Sequence, residues 1–186
     1  MGWVGEGIDK LTAKAQRRRE KIMHFQTHPK ICDYMVGLLP TDRGIKTILE
    51  PTPGEGNLVR ALQNRKIAVE YPPGDFWTMT QQQPDSFDYY DAVVMNPPFS
   101  PMQQGYNILY RCMEMTDVII ALMPWLVLIN SETRTKNIFD FGLVSVTHLP
   151  RSAFPGARVQ TCILKMVRNW VKMTEFVALY PAYLKG

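Results

Sequence analysis

The sequence predicts one doubly wound α/β domain whose sheet is parallel for most strands, with an antiparallel strand near the C-terminus. Three observations carry this. Short β-branched runs alternate along the chain with stretches whose apolar residues recur at helical spacing. The run at 118–123, Val-Ile-Ile-Ala-Leu-Met, is continuously apolar, as a strand covered on both faces must be. The 186 residues, 46% hydrophobic and 20% charged, suffice for one packed core and leave little room for a second domain.

The elements follow in order. After Thr27-His28-Pro29, residues 30–39 place Ile31, Met35, Leu38 and Leu39 near helical spacing, and Pro40 ends that helix. Residues 45–49 form a β-branched strand that stops at Glu50-Pro51 and enters the turn Thr52-Pro53-Gly54-Glu55-Gly56. Residues 57–64 are a short helix, and 66–70 a strand broken by Pro72 and Pro73. The polar segment 81–86 is a surface loop, and 90–95 a strand ending in Asn96-Pro97-Pro98-Phe99. A helix around 105–115, the strand 118–123, a helix at 134–141 and strands at 144–149 and 160–167 complete the alternation.

Several function classes are excluded. The longest apolar run, 118–129, has 12 residues and contains Pro124, against about 20 needed for a membrane-spanning helix. The polar, basic N-terminus lacks the apolar stretch of a signal peptide, which places the protein in the cytoplasm. Cys32, Cys112 and Cys162 have no metal-ligand spacing and are odd in number, so they are core residues, with neither zinc nor a disulfide implied.

Charge is uneven. Residues 1–30 hold seven of the 21 Lys/Arg and three of the 17 Asp/Glu, and the remaining 14 and 14 cancel. The whole net charge of +4 is therefore N-terminal. Residues 1–23 are expected to form a basic helical arm ahead of a single domain at 24–186. In the arm, Arg17, Arg18 and Arg19 are the candidates for neutralising phosphates of a nucleic acid; a solvated surface helix is the other reading.

The unusual residues cluster at expected carboxyl ends of strands, where open α/β sheets bind ligands. Glu50, Glu70 and Asn96 each end a strand. The turn from Glu50 to Gly56 lets a ligand approach the backbone and precedes a helix N-terminus, but lacks the Gly-Lys-Ser/Thr of a P-loop. Asn96-Pro97-Pro98-Phe99 is more specific. Two prolines fix the backbone and remove two N–H donors, Asn96 adds a side-chain amide, and Phe99 a flat ring. The carbonyl groups of Asn96 and Pro97 can accept both hydrogens of an aromatic amine and draw its lone pair out of conjugation, while Phe99 stacks on the ring.

Together these residues resemble the S-adenosylmethionine-dependent amino-methyltransferases, most closely the DNA adenine-N6 methyltransferase family, over most of the chain. The family's motifs occur here in order as Phe25-Gln26-Thr27-His28-Pro29, Glu50 to Gly56, Glu70, Gly74-Asp75-Phe76 and Asn96 to Phe99. Residues 149–161 are similar to the family's region after the sixth strand, which helps hold the target base. The resemblance implies a Rossmann-like methyltransferase sheet, S-adenosylmethionine as cofactor, and methyl transfer to adenine N6 in DNA. It implies that Glu50, Pro51, Gly54 and Gly56 hold the methionine part of the cofactor and Glu70 its ribose. Asp75 and Phe76 would take its adenine, Phe25 and Thr27 would close the pocket, and Asn96, Pro97, Pro98 and Phe99 would hold a flipped adenine.

The chain also departs from that pattern. The family inserts a helix and a strand between the functions of Glu70 and Asp75, here five residues apart, so either one sheet strand is missing or Pro72-Pro73-Gly74 folds Asp75 straight back. Thr27-His28-Pro29 carries one residue more than Thr-Pro, and Pro53 stands where a small residue is usual. Methylation of an rRNA base or of a protein glutamine uses similar motifs and stays open, as does a catalytically idle binding subunit. Of these, DNA and RNA both suit the basic arm and a protein substrate leaves it unexplained; DNA is expected before RNA as the partner. No target-recognition domain is expected after the last strand, so the candidates for specificity are the loops at 100–105 and 154–159, a separate subunit, or simple non-specificity.

Overall fold

The computed structural model describes residues 26–82, 88–155 and 159–185. Phe25 and the expected phosphate-binding residues Arg17, Arg18 and Arg19 lie outside them, as does the whole arm at 1–23.

In chain order the elements are α1 (Pro29–Gly37), β1 (Thr47–Leu49), α2 (Asn57–Asn64), β2 (Ala68–Glu70), α3 (Phe76–Gln82), β3 (Ala92–Met95), α4 (Met102–Met115), β4 (Val118–Pro124), α5 (Glu132–Phe141), β5 (Leu143–His148), β6 (Thr161–Val167), β7 (Glu175–Ala178) and α6 (Pro181–Lys185). The strands form one sheet in the order β2-β1-β3-β4-β6-β5-β7. β2, β1, β3 and β4 run parallel. β6 is antiparallel to both β4 and β5, the reversed strand expected near the C-terminus.

Strand alternation builds a core on each face. Met95, Ile119, Ala121 and Met123 point to one side, against Phe76 of α3, Leu109 and Cys112 of α4, and Ile138 of α5. Val94, Ile120 and Leu122 point to the other, against Ile31 and Met35 of α1 and Leu58 and Leu62 of α2. All seven residues of β4 are buried, which is why its sequence shows no polar alternation. The three cysteines are buried and unpaired, as core residues should be.

Two expectations need correction, and between two stated alternatives the structure takes one. The polar composition of 81–86 predicts a loop, but α3 continues through Gln81 and Gln82, because Asp75 caps it and Phe76 and Thr80 anchor one face in the core. Residues 83–87 lie outside the described parts. The sequence after 167 predicts no further strand; the chain adds β7, parallel to β5 with Val146 opposite Phe176, and then α6. Periodicity gives little signal there, since β7 is an edge strand of four residues and none of them is buried. No strand separates Glu70 from Asp75. β2 is the sheet's edge, and Pro72-Pro73-Gly74 carries the chain directly to α3.

Candidate functional site

The carboxyl ends of β2, β1 and β3 lie side by side, since Leu49 is in register with Glu70 on one side and with Val93 on the other. This brings Glu70, Glu50 and Asn96 to one edge of the sheet. The Glu50 amide still belongs to the ladder, donating to the Glu70 carbonyl at 2.9 Å.

Glu50 has 0% exposure. Its Oε1 accepts the Thr52 amide at 2.9 Å and the Thr52 hydroxyl at 3.2 Å, whereas Oε2 is buried with no hydrogen-bond partner. Burial pushes its carboxyl up to about 8, against the partial relief of the two Thr52 hydrogen bonds. Beyond it, Gly54 and Gly56 adopt φ of +52° and +79°, which side chains with a Cβ rarely do. Gly56 caps α2, and the Gly56 amide donates to the Pro53 carbonyl at 2.7 Å, closing the turn. The Gln26 side chain lies over Gly54, 3.5 Å from where a Cβ would stand.

Thr27 ties three segments together. Its side-chain oxygen accepts the Asn96 amide Nδ2 at 2.8 Å, and its carbonyl accepts the Asn57 Nδ2 at 3.0 Å and the Cys32 thiol at 3.6 Å. The residue is itself buried. With the nitrogen end of the Asn96 amide committed to Thr27, the orientation of the amide and the acceptor role of its oxygen are fixed. His28 caps α1, its Nδ1 accepting the Lys30 amide at 3.3 Å.

The proline turn after β3 presses on α4. A Cβ at Gly105 would stand 2.6 Å from the Pro98 carbonyl oxygen and 3.7 Å from the Pro97 ring, so only glycine admits this approach. Pro97 is buried, Pro98 exposed, and Phe99 half-buried against the core that faces α1 and α2.

The remaining expected residues take other surroundings. Glu70 is exposed and its Oε2 accepts the Tyr90 hydroxyl at 3.0 Å. Burial and then this carboxylate push the Tyr90 phenol up to about 12. Asp75 accepts the Thr78 amide at 2.8 Å as the cap of α3. Phe76 is 1% exposed within the core, so its ring is not presented to a ligand in this structure.

Sequence reasoning missed Asn57, Tyr90, Gly105 and the bridging role of Thr27. Asn57 and Gly105 each stand beside a motif legible in the sequence, but their partners are distant along the chain. Among the described residues no cluster of His, Cys, Asp and Glu could hold a metal ion, and no helix is long and apolar enough to cross a membrane.

No family model matches the sequence, and no curated protein matches it either. Solved structures do resemble its fold. A protein from Listeria monocytogenes described as a class I S-adenosylmethionine-dependent methyltransferase superposes with a TM-score of 0.65 at 15% identity, covering 84% of this chain and 66% of its own. The methyltransferase subunit of a type I restriction-modification system from Streptococcus thermophilus gives 0.62 at 14%, covering 87% and 51%. The type I restriction enzyme EcoKI M protein gives 0.60 at 13%, covering 80% and 44%. The chain thus spans about two thirds of the first of these proteins and about half of the other two. At such identities the likeness is one of architecture, and the architecture of this chain is the Rossmann-like α/β fold seen in those methyltransferases.

Proposed function

We propose that the protein transfers a methyl group from S-adenosylmethionine to the N6 amino group of adenine in DNA. The observation that carries this reading is the Thr27–Asn96 hydrogen bond, which locks the amide of the Asn-Pro-Pro-Phe turn as an acceptor beside the Glu50 turn. The residues present suit the cofactor. The buried Oε2 of Glu50 has no hydrogen-bond partner, and an ammonium that met this group as a carboxylate would offset the cost of burying its charge. Gly54 and Gly56 leave the backbone open to close approach, and the exposed Glu70 carboxylate lies next along the strand ends for hydroxyl groups.

When bound, the cofactor supplies an electrophilic methyl group. The chain's residues position the amine. Asn96 Oδ1 and the Pro97 carbonyl accept its two hydrogens, so that the nitrogen lone pair leaves conjugation and faces the electrophile as the amine becomes acidic. Phe99 stacks on the base. No catalytic histidine is required, because the amine attacks as a neutral nitrogen and its proton, acidic only once the new bond forms, is released to solvent. The basic arm, with Arg17, Arg18 and Arg19, holds the nucleic acid through its phosphates, and a separate subunit or the loops after β3 and β5 select the sequence. Such a protein works in the cytoplasm.

The test is methyl incorporation from radiolabelled S-adenosylmethionine into adenine-containing DNA, RNA and a glutamine-containing peptide. Label in DNA N6-methyladenine is the expected result; label on the peptide alone would overturn the nucleic-acid reading. An idle binding subunit is the second reading, favoured by the burial of Phe76 and the capping duty of Asp75. A calorimetric titration that shows no uptake of S-adenosylmethionine would select it.

A further inference from the structure

Arg134 stands in the first turn of α5, where the helix dipole disfavours a cation. Its guanidinium carbon lies 3.7 Å from the centroid of the Tyr106 ring. Nε and Nη1 are buried with no hydrogen-bond partner. Among the described residues the ion pairs join Arg111 to Glu114, Lys136 to Asp140 and Arg168 to Asp117, so no carboxylate answers Arg134. A guanidinium held flat on an aromatic ring, drawn out of water and left without an anion, is costly to the free protein.

Its position gives the cost a purpose. Tyr106 follows Gly105, the residue whose missing Cβ lets α4 close on the Pro98 carbonyl. The ring that carries Arg134 is therefore one helical residue from the point where α4 meets the Asn96-to-Phe99 turn. A strand that offers an extruded base to that turn has a phosphate on either side of the nucleotide, and the charge of a guanidinium attracts phosphate oxygens through Nη2, which is not among its buried nitrogens.

We propose that Arg134, braced on Tyr106, binds a backbone phosphate next to the target nucleotide and so positions the strand at the Asn-Pro-Pro-Phe turn. The inference rests on the nucleic-acid reading of that site. It differs from the role given to the basic arm, since it places one anion-binding group within the folded domain.

The test is fluorescence anisotropy of the full chain with short adenine-containing single-stranded DNA over a range of salt. Arg134→Gln should weaken binding several-fold and reduce the slope of log affinity against log salt by about 0.7, the share of a single phosphate that is no longer neutralised. Arg134→Lys should keep the slope while binding more weakly than wild type. Arg134→Met keeps an apolar stem over Tyr106; it should show the same reduced slope as the glutamine variant without lowering the melting temperature of the free protein. That last result separates a ligand-binding arginine from a structural one, whose removal would destabilise the fold, and the methionine variant is read in place of the glutamine one if the latter melts early. A wild-type slope in both neutral variants would overturn the inference alone. A wild type that binds no nucleic acid yet methylates a glutamine peptide would overturn the nucleic-acid reading, and this inference with it.

Discussion

The Glu50-to-Gly56 turn takes its bend from two glycines at positive φ, whereas the Asn96-to-Phe99 turn takes its shape from two consecutive prolines. In the first, two glycines at positive φ bend the chain around a carboxylate that is fully buried and half unsatisfied. In the second, consecutive prolines set the backbone, Thr27 anchors the asparagine amide, and Gly105 lets a helix close on the Pro98 carbonyl. The difference matches what the proposed function asks of each turn. A turn that wraps a flexible ligand needs open backbone and an unmet acceptor, while a turn that aligns a planar amine needs acceptors that do not move.

The largest effect should come from the rigid turn. Under the proposed function, Asn96→Ala removes an acceptor for the reacting amine and should lower methyl transfer by about 10²–10³-fold, as removal of one preorganised hydrogen-bonding group does elsewhere. Cofactor affinity, measured by calorimetry, should change little. A parallel fall in cofactor binding would show that the two turns are not separable.

Gly54→Val tests the glycine turn. A β-branched residue at φ +52° costs about 1–3 kcal/mol and sets its side chain against Gln26, so cofactor affinity should fall by about 10–100-fold. A cooperative melting transition only a few degrees below wild type together with that fall would place the damage in the site.

The orphaned carboxylate sets a pH dependence. With its carboxyl raised to about 8, Glu50 keeps its proton at neutral pH in the free protein. A ligand that requires the carboxylate must expel that proton, so affinity should rise with pH up to about 8, by at most about tenfold per unit, and then level off. Proton release follows from calorimetry in buffers of different ionisation enthalpy, and Glu50→Gln should abolish it. Fold stability has the opposite trend: because the folded value lies above the ordinary one of 4.5, the contribution of Glu50 is complete below that pH and is lost as pH rises through about 8.

Gly105→Ala should give the smallest change in cofactor binding but a clear change in stability, about 1–3 kcal/mol by denaturant unfolding, because the added methyl group meets backbone rather than a movable side chain. Unchanged stability would mean that α4 can draw back from the proline turn, and the contrast between the two turns would weaken.

Much of the architecture was legible. The helix at 57–64 matches α2 in both its bounds, and the strand expected at 118–123 differs from β4 by one residue, because amphipathic spacing and full burial leave direct marks in composition. α3 and β7 were missed, α3 in part because capping by Asp75 is a local event inside a polar stretch, and β7 because an exposed edge strand shows no burial pattern. At the candidate site, the strand-end positions of Glu50, Glu70 and Asn96 were readable, since each closes a short apolar run.

By itself the sequence determined the order of the buried strands and amphipathic helices, the residues that end the strands at the site, and the two turns with their glycines and prolines. These are local properties, set by allowed backbone angles and by the period of apolar residues. Only the tertiary structure decided that Thr27 joins Asn57 to Asn96, that Glu50 keeps one oxygen without a partner, that Gly105 yields to the Pro98 carbonyl, and that Arg134 lies on Tyr106. Each of these depends on atoms distant in the chain meeting within a few ångströms, and whether a polar group is satisfied or stranded is settled by that meeting, not by its neighbours in sequence.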